Sequence, residues 1–491
     1  MFTYRFVVVL IFEAAAAHKT CLHADVWNRA TGSYNLSECS VLNATSVAVD
    51  AKALSVALMT QGTELVSLRL VSNEVGADGM RVLAGALAEH RSLQLLHIEL
   101  NNLSSDGAEV IVRALRNNRV LTSLTISRCD LRDGGAVGIA ELLRGNSVLT
   151  ELNLEMNDIS PPGVAALAGA LQDNDALRSL SIGINPIFPA GAAQLAKALR
   201  TNTVLQKLNV RYSGLQDGGM VSLAHALQEN RVLRDLDVWA NAIGDVGVAA
   251  MGHTLKENDA LERLNLWENN ISDVGIEALL KGLTSVKTRL RSVHLGRNTA
   301  ITDASAVALQ RVMYANEALT LIDFGIGGTA VEKHFELPLL KACECNELLR
   351  GHVVGLTDGT EEARAQRRAA ADCRKEALKK MPLRVSVKEM MRAQGVDISE
   401  QRKSIAEKAK RIEDFNRKLE ALDPEERREA RRMIEGLREM SSKQRRAVAS
   451  DWPKEKMAKL KVDSPHQQHI EGLRRKASDS EKEAQGLLGR T

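Results

Sequence analysis

Leucines recur along the chain at a constant step: Leu65, Leu93, Leu121, Leu149, Leu177, Leu205, Leu233 and Leu261. Each opens a stretch in which apolar and polar residues alternate, as in LTELNLEMN at 149–157. Period-2 alternation over a short span predicts a strand with one buried face. Further on in each unit comes a stretch such as GVAALAGAL at 163–171. Its apolar residues fall at helical spacing and its alanines favour a helix. A strand and a helix in so short a unit cannot bury their leucines alone. They must stack on neighbouring copies, so the repeat predicts an elongated array rather than a globule.

Other residues keep the same register. Asn73, Asn101, Asn157, Asn185, Asn241 and Asn269 follow the strand, with Cys129 and Ser213 in the two remaining places. The sharp bend there leaves backbone donors unpaired, and an Asn amide on neighbouring turns would satisfy them. A glycine follows at Gly79, Gly107, Gly135, Gly163, Gly191, Gly219, Gly247 and Gly275. Two residues before it, Ser105, Asp133, Asp217, Asp245 and Asp273 stand where a helix N-cap is expected. Asn118, Asn146, Asn174, Asn202, Asn230 and Asn258 stand where a left-handed C-cap is expected. Looser copies begin at Leu290 and Leu319.

The phrase L-x-x-L-x-L-x-x-N/C-x-L followed by G-x-x-x-L-A-x-A-L resembles the ribonuclease-inhibitor-like leucine-rich repeats, including those of NOD-like receptors. The resemblance covers about residues 60–330. It implies an α/β solenoid: a horseshoe with parallel strands inside and helices outside. Residues 45–356 form that solenoid, with 45–59 as a degenerate first unit and FELPLLKACECNELL at 335–349 as the closing cap. Residues 1–44 precede it and an all-α charged tail, 357–491, follows.

In such a unit, positions 2, 4 and 6 after the first leucine face the concave surface. Position 6 reads Val71, Glu99, Ser127, Glu155, Gly183, Arg211, Trp239, Trp267 and Gly296. The chain has only four tryptophans, and two fall in consecutive units of this row. Position 4 adds Asn209, Asp237 and Asn265; position 2 adds Lys207, Asp235 and Arg263; Tyr212 and Glu268 follow at the strand ends. Two exposed rings beside an arginine, rimmed by charge, have the composition of a protein-binding hot spot. The other end of the row is polar, with Ser123, Thr125, Glu151, Asn153, Glu155, Ser179 and Ser181. The competing reading has the rings packing on their neighbours and stiffening the sheet.

Composition adds two constraints. Aromatic residues make up 3% of the chain, so the core must be aliphatic. The +3 net charge hides an asymmetry: residues 361–491 carry 34 Lys and Arg against 24 Asp and Glu, while 1–360 carry 31 against 38. The basic tail holds short amphipathic helices, one opened by DISE at 397–400 with Ile405, Ile412, Phe415, Leu419 and Leu422 on a stripe. A solvated helix surface is the first reading of its charge. Nucleic acid or an acidic membrane is the second, although aromatic residues for base stacking are missing. A weak coiled coil or docking on the acidic solenoid is a third.

No phosphate loop, zinc hydrolase helix or nucleophile elbow occurs. CEC at 343–345 lacks a second ligand cluster, and Cys129 reads as a buried structural thiol. The sequence therefore implies no cofactor, no metal and no small-molecule substrate. It points to a non-enzymatic adaptor or scaffold that binds a protein on its concave face. The Ran GTPase-activating proteins also resemble this class, which raises a regulator of a small GTPase as an alternative, but their tail is acidic and this one is basic. A sensing module of NOD-like-receptor type is another alternative, without its nucleotide-binding part.

Six cysteines are too few for a disulfide framework. Cys21 and Cys39 could pair if the N-terminus is extracellular. Arg5, the apolar run 6–12 and small residues at Ala15 and Ala17 sketch a signal peptide interrupted by Glu13. Asn35 and Asn43 begin glycosylation sequons. Asn102 and Asn270 do too, but in a place where the repeat consensus itself writes them. The unpaired Cys129 and the Lys/Glu-rich tail favour the cytoplasm, with secretion as the alternative.

Overall fold

The computed structural model describes residues 64–315 except 286, together with 20–22, 26–28, 33–34, 39, 41–45, 49–60 and five positions between 403 and 414. The expected closing cap, the unit at Leu319 and nearly all of the tail lie outside the described residues; the five tail positions are helical.

Strands and helices alternate in chain order. The strands are β1 (Thr20–Leu22), β2 (Trp27–Asn28), β3 (Ser33–Tyr34), β4 (Val41–Thr45), β5 (Ser67–Val71), β6 (Leu95–Glu99), β7 (Ser123–Ser127), β8 (Glu151–Asn153), β9 (Ser179–Ser181), β10 (Lys207–Asn209), β11 (Asp235–Asp237), β12 (Arg263–Asn265) and β13 (Ser292–His294). The helices are α1 (Ala51–Thr60), α2 (Gly76–Glu89), α3 (Ser104–Leu115), α4 (Arg132–Gly145), α5 (Pro161–Asp173), α6 (Phe188–Thr201), α7 (Gln216–Glu229), α8 (Asp245–Thr254), α9 (Asp273–Leu283) and α10 (Asp303–Ala315). Eleven strands form one open parallel sheet in the order β1-β4-β5 through β13, while β2 and β3 form a small antiparallel pair. This is the α/β leucine-rich repeat solenoid that the resemblance implied.

The register explains the constant step. Leu68, Leu96, Leu124, Leu152, Leu180, Leu208, Leu236 and Leu264 are aligned partners on successive strands, and all are buried. The repeat-opening leucines are 0–3% exposed. Helices cover this face, and each packs on the next. Neighbouring strands sit about 4.8 Å apart, whereas packed helices need about 8–10 Å. The stack must therefore curve, with the strands on its inner side.

Hydrogen bonds between rungs lock that register. Asn157 Oδ1 accepts the N–H of Cys129, one rung back, at 2.8 Å. Its Nδ2 donates to the carbonyls of Ile126, Leu154 and Glu155 at 2.6, 3.1 and 3.2 Å. Asn101, Asn185, Asn241, Asn269 and Asn298 repeat the arrangement. Cys129 and Ser213 keep a bond to the carbonyl two residues earlier, at 3.2 and 3.0 Å.

Both cap expectations change. Asp133 and Asp217 lie within α4 and α7, and Asp245 and Asp273 begin α8 and α9. Their carboxylates cap the following rung. Asp133 accepts from Ser160 N and Gly163 N at the start of α5, Asp217 from Gly244 N and Gly247 N at α8, and Asp245 from Ser272 N and Gly275 N at α9. The glycine is required there because a Cβ at Gly163 would lie 2.5 Å from Asp133 Oδ1. The terminal asparagines are extended, not left-handed: Asn174, Asn202 and Asn230 have φ of −82°, −71° and −71°. Each accepts the N–H groups two and three residues on and donates to a leucine carbonyl of the previous helix, as Asn202 does with Val204, Leu205 and Leu171. They form a second ladder along the helix ends.

At the N-terminal end α1 falls in the expected first unit at 45–59, but β4, the strand that precedes it and pairs with β5, begins at Val41, within the segment expected to lie outside the solenoid; Asp50 caps α1 through Lys52 N and Ala53 N at 2.9 and 3.0 Å. The sheet continues beyond this unit to β1, which pairs with β4, and Cys21 is disulfide-bonded to Cys39.

Candidate functional site

The inner face takes its order from the strands. Lys207, Asp235 and Arg263 are aligned partners on β10, β11 and β12, and so are Asn209, Asp237 and Asn265. Past the strand ends the alignment persists, because Tyr212 N donates to Trp239 O and Ala240 N to Trp267 O. Arg211, Trp239 and Trp267 thus occupy three successive rungs. Each is half-buried and none enters the leucine interior. The position-4 residue fixes the turn beneath each one: Asn209, Asp237 and Asn265 accept the N–H of Arg211, Trp239 and Trp267 at 3.1, 3.0 and 3.1 Å.

Tyr212 and Glu268 have φ of +50° and +54°. This left-handed turn brings their side chains to the edge of the face. Tyr212 meets Trp239 edge to face, with centroids 5.2 Å apart. Such a pair contributes about 0.5–1.5 kcal/mol beyond burial. The Arg211 guanidinium carbon lies 5.9 Å from the Trp239 ring centroid. Trp239 therefore finds its ring partner in Tyr212, on the preceding rung, with Trp267 on the rung that follows.

Two carboxylates organise the rest. Glu268 Oε2 accepts from Tyr212 Oη and Trp239 Nε1, both at 3.3 Å, and pairs with Arg297 at 3.1 Å. Glu155 accepts from Ser181 Oγ, Asn209 Nδ2 and Arg211 Nη2, each at 2.8 Å. Arg211 reaches Glu155 across two rungs by lying over Gly183. A Cβ there would be 2.8 Å from Arg211 Cγ. Sequence reasoning placed Glu155 in a separate polar end and did not include Arg297. The signal for the first was the glycine between Glu155 and Arg211 in one row; for the second, it was that Arg297 follows Glu268 in the next unit.

The other selected charges are divided. Arg263 Nε pairs with Asp235 at 2.9 Å. Lys207 is exposed at the lower edge. Burial raises the Asp237 carboxyl above the usual range, against the lowering effects of the Trp239 N–H and the Arg211 charge. The network thus runs from Glu155 through Arg211, Trp239 and Tyr212 to Glu268 and Arg297.

Elsewhere the face is less organised. His97, lowered by burial and by the Arg69 charge, pairs with Glu99 at 3.1 Å. His294 meets Ser292 on β13 at 2.9 Å, seven rungs from His97. The Cys129 thiol is buried and pushed up to about 11 by that burial, so it is neutral and structural. Among the described residues, no group of three or more His, Cys, Asp or Glu is arranged to hold a metal ion. No described helix is long and apolar enough to cross a membrane.

Comparison with known proteins bears on the repeat itself. The family model described as Leucine Rich repeat matches residues 89–112, 117–140, 145–168, 201–224, 229–252 and 258–280. The units are leucine-rich repeats. Solved structures similar to this chain include Leiomodin-1 Actin-Binding Site 2, at 18% identity, covering 29% of this chain and 87% of that one, TM-score 0.26. The tropomodulin C-terminal domain of Caenorhabditis elegans is similar at 16% identity, covering 31% and 92%, TM-score 0.27. No curated protein matches significantly.

Proposed function

We propose that this leucine-rich repeat protein is a non-enzymatic adaptor or scaffold that captures a protein partner on its inner face. Arg211, Tyr212, Trp239 and Trp267 are the anchor, and Lys207, Asn209, Asp235, Asp237, Arg263, Asn265 and Glu268 form its surroundings. One observation carries this reading. A chain with four tryptophans and four tyrosines puts three of those rings on three consecutive rungs of the inner face, the two indoles half-buried and the tyrosine exposed at the edge. An aliphatic solenoid has no structural need for rings there, since its core is built mainly of leucine, isoleucine, valine and alanine, with Tyr34 at the N-terminal end as its one ring among the described residues. Fixed aromatic groups with an ordered arginine beside them bind proteins well because little side-chain freedom is lost on contact. The basic tail serves to tether the captured protein or to bring copies of the chain together.

The test is affinity capture from native extract with the full chain and with the Trp239→Ala/Trp267→Ala variant. A hot-spot ring contributes at least about 2 kcal/mol, or about 30-fold in affinity. The variant should lose the specifically retained partner while its thermal midpoint moves by only a few degrees. Undiminished capture would refute the assignment. Collapse of the fold would favour rings that only stiffen the sheet.

A further inference from the structure

We infer that Asn102 and Asn270 are N-glycosylation sites, and that the chain folds in an oxidising secretory compartment where they are modified.

The first observation is the contrast within two asparagine pairs. Asn101 and Asn269 are buried ladder residues whose amides are spent on backbone groups. Asn102 and Asn270, immediately after them, are exposed, and neither side chain makes a hydrogen bond among the described residues. Both begin an N-x-S triplet, with Ser104 and Ser272. The repeat does not require Asn at this place. The equivalent residues in the other units are Glu74, Asp130, Asp158, Pro186, Gly214 and Ala242. At 102 the backbone is left-handed, with φ of +45°, a turn that suits Asn, but Glu74, Asp130, Asp158 and Ala242 take the same turn, so the fold demands the first asparagine of each pair and only a residue that accepts the turn at the second. That reverses the reading of these triplets as by-products of the repeat consensus.

The second observation is independent. The Cys21–Cys39 disulfide closes the first rung, with Cys21 on β1 and both cysteines buried. Its formation removes two protons and two electrons from the thiols, which the disulfide-exchange proteins of an oxidising compartment accept. That compartment also holds the glycosylating machinery. Cys129 does not argue against it, because a fully buried neutral thiol is inert to exchange. The apolar run 6–12 supplies the kind of segment that directs a chain there.

The chemistry balances at one atom. Nδ2 of Asn102 or Asn270 loses a proton and bonds to the anomeric carbon of an oligosaccharide carried on a lipid diphosphate. The bond from that carbon to the diphosphate breaks, and the lipid diphosphate leaves. Both sites lie on the rim between strand and helix, so a glycan projects away from the packed leucines. The one at Asn270 stands two residues along the chain from Glu268. Asn43 differs: it is half-buried within β4, and its Oδ1 accepts from Thr45 Oγ1 at 2.9 Å.

The full chain, with its own N-terminus, is expressed in a eukaryotic host. Its mass is compared before and after peptide-N-glycosidase. We expect glycans released from Asn102 and Asn270, one mass step lost in each of Asn102→Gln and Asn270→Gln, and non-reduced tryptic digests that keep Cys21 and Cys39 linked although Arg29 is cleaved. Glycans confined to Asn35 or Asn43 would overturn the site assignment. A chain in the cytosol, unmodified and with Cys21 and Cys39 reduced, would overturn the inference entirely. Neither result bears on capture at Trp239 and Trp267.

Discussion

Replacing Glu155 with glutamine removes a charge and little else, because the amide keeps an oxygen for Ser181 and Asn209. What it leaves behind is the Arg211 guanidinium. Its side chain is only 22% exposed and its Nε is buried without a hydrogen-bond partner. Stranding one member of a fully buried pair costs about 3–5 kcal/mol. Here Glu155 is 13% and Arg211 22% exposed, so partial hydration lowers the cost to about 2–3 kcal/mol. For a folded unit of this size, each kcal/mol moves the melting temperature by about 2–4 °C, which gives a loss of roughly 4–12 °C. The decisive assay is a double-mutant cycle in urea with Glu155→Gln, Arg211→Met and both together. Removing both charges spares the desolvation of each, so the double variant should be more stable than the Glu155→Gln single, with a coupling of about 2 kcal/mol. Trp239 fluorescence reports the same event, since the guanidinium stands 5.9 Å from that ring. Independent sites add to within about 0.5 kcal/mol. A coupling inside that scatter, or an unchanged Trp239 signal, would refute the idea that Glu155 holds Arg211 in place for the aromatic anchor.

Asn157→Ala deletes the bonds to Cys129, Ile126, Leu154 and Glu155 and leaves buried backbone groups unsatisfied. We expect a loss of about 3 kcal/mol or more, with faster amide exchange at residues 126–129; a loss under about 1 kcal/mol would show that the ladder is not what holds the register. Asp237→Asn should stabilise the fold at pH 7, with the gain shrinking as the pH falls toward about 4, where the unfolded carboxylate takes up its proton. The sign follows from the raised folded pKa: the native state holds that proton more tightly, so ionisation at higher pH weakens the fold. Thermal melts across pH 3.5–8 read this effect, and a variant less stable than wild type at pH 7 would contradict it.

The solenoid was legible because its signals are local and repeated. One leucine at the same place in every unit, with alternation through each strand, assigns the buried row and therefore the open one. Arg211, Trp239 and Trp267 could be placed on successive rungs by counting alone. What could not be counted were bonds between rungs. Asp133 looks like the cap of its own helix, because capping rules consider donors two or three residues away. In the stack its donors are Ser160 and Gly163, 27 and 30 residues later. Asn202 looks like a left-handed terminator, yet its amide has more to gain from the Leu171 carbonyl of the preceding helix. Glu155 and Arg211 are 56 residues apart, and only the missing side chain at Gly183 lets them meet. The Cys21–Cys39 pairing could be stated only conditionally, because sequence does not show that β1 returns beside β4.

Asp237 shows how the solenoid separates what folding needs from what the open face is for. Three residues in its row play the same local part, since Asn209, Asp237 and Asn265 each accept the N–H of the residue two places on. The two asparagines do so without charge. Asp237 does so at a similar distance while carrying a carboxylate that its surroundings disfavour. Folding alone therefore favours asparagine at all three positions. Glu155 is occupied by Arg211, Asp235 by Arg263 and Glu268 by Arg297. A carboxylate in the middle of this row, whose ionised form is disfavoured by burial and which stands outside those ion pairs, is suited to meet a cationic side chain of the partner proposed above. The contact would desolvate both groups beside Trp239, where a charge–charge interaction is strongest. The substitution that stabilises the solenoid should then weaken capture, and the two effects should separate cleanly because the N–H of Trp239 keeps its acceptor in the asparagine variant.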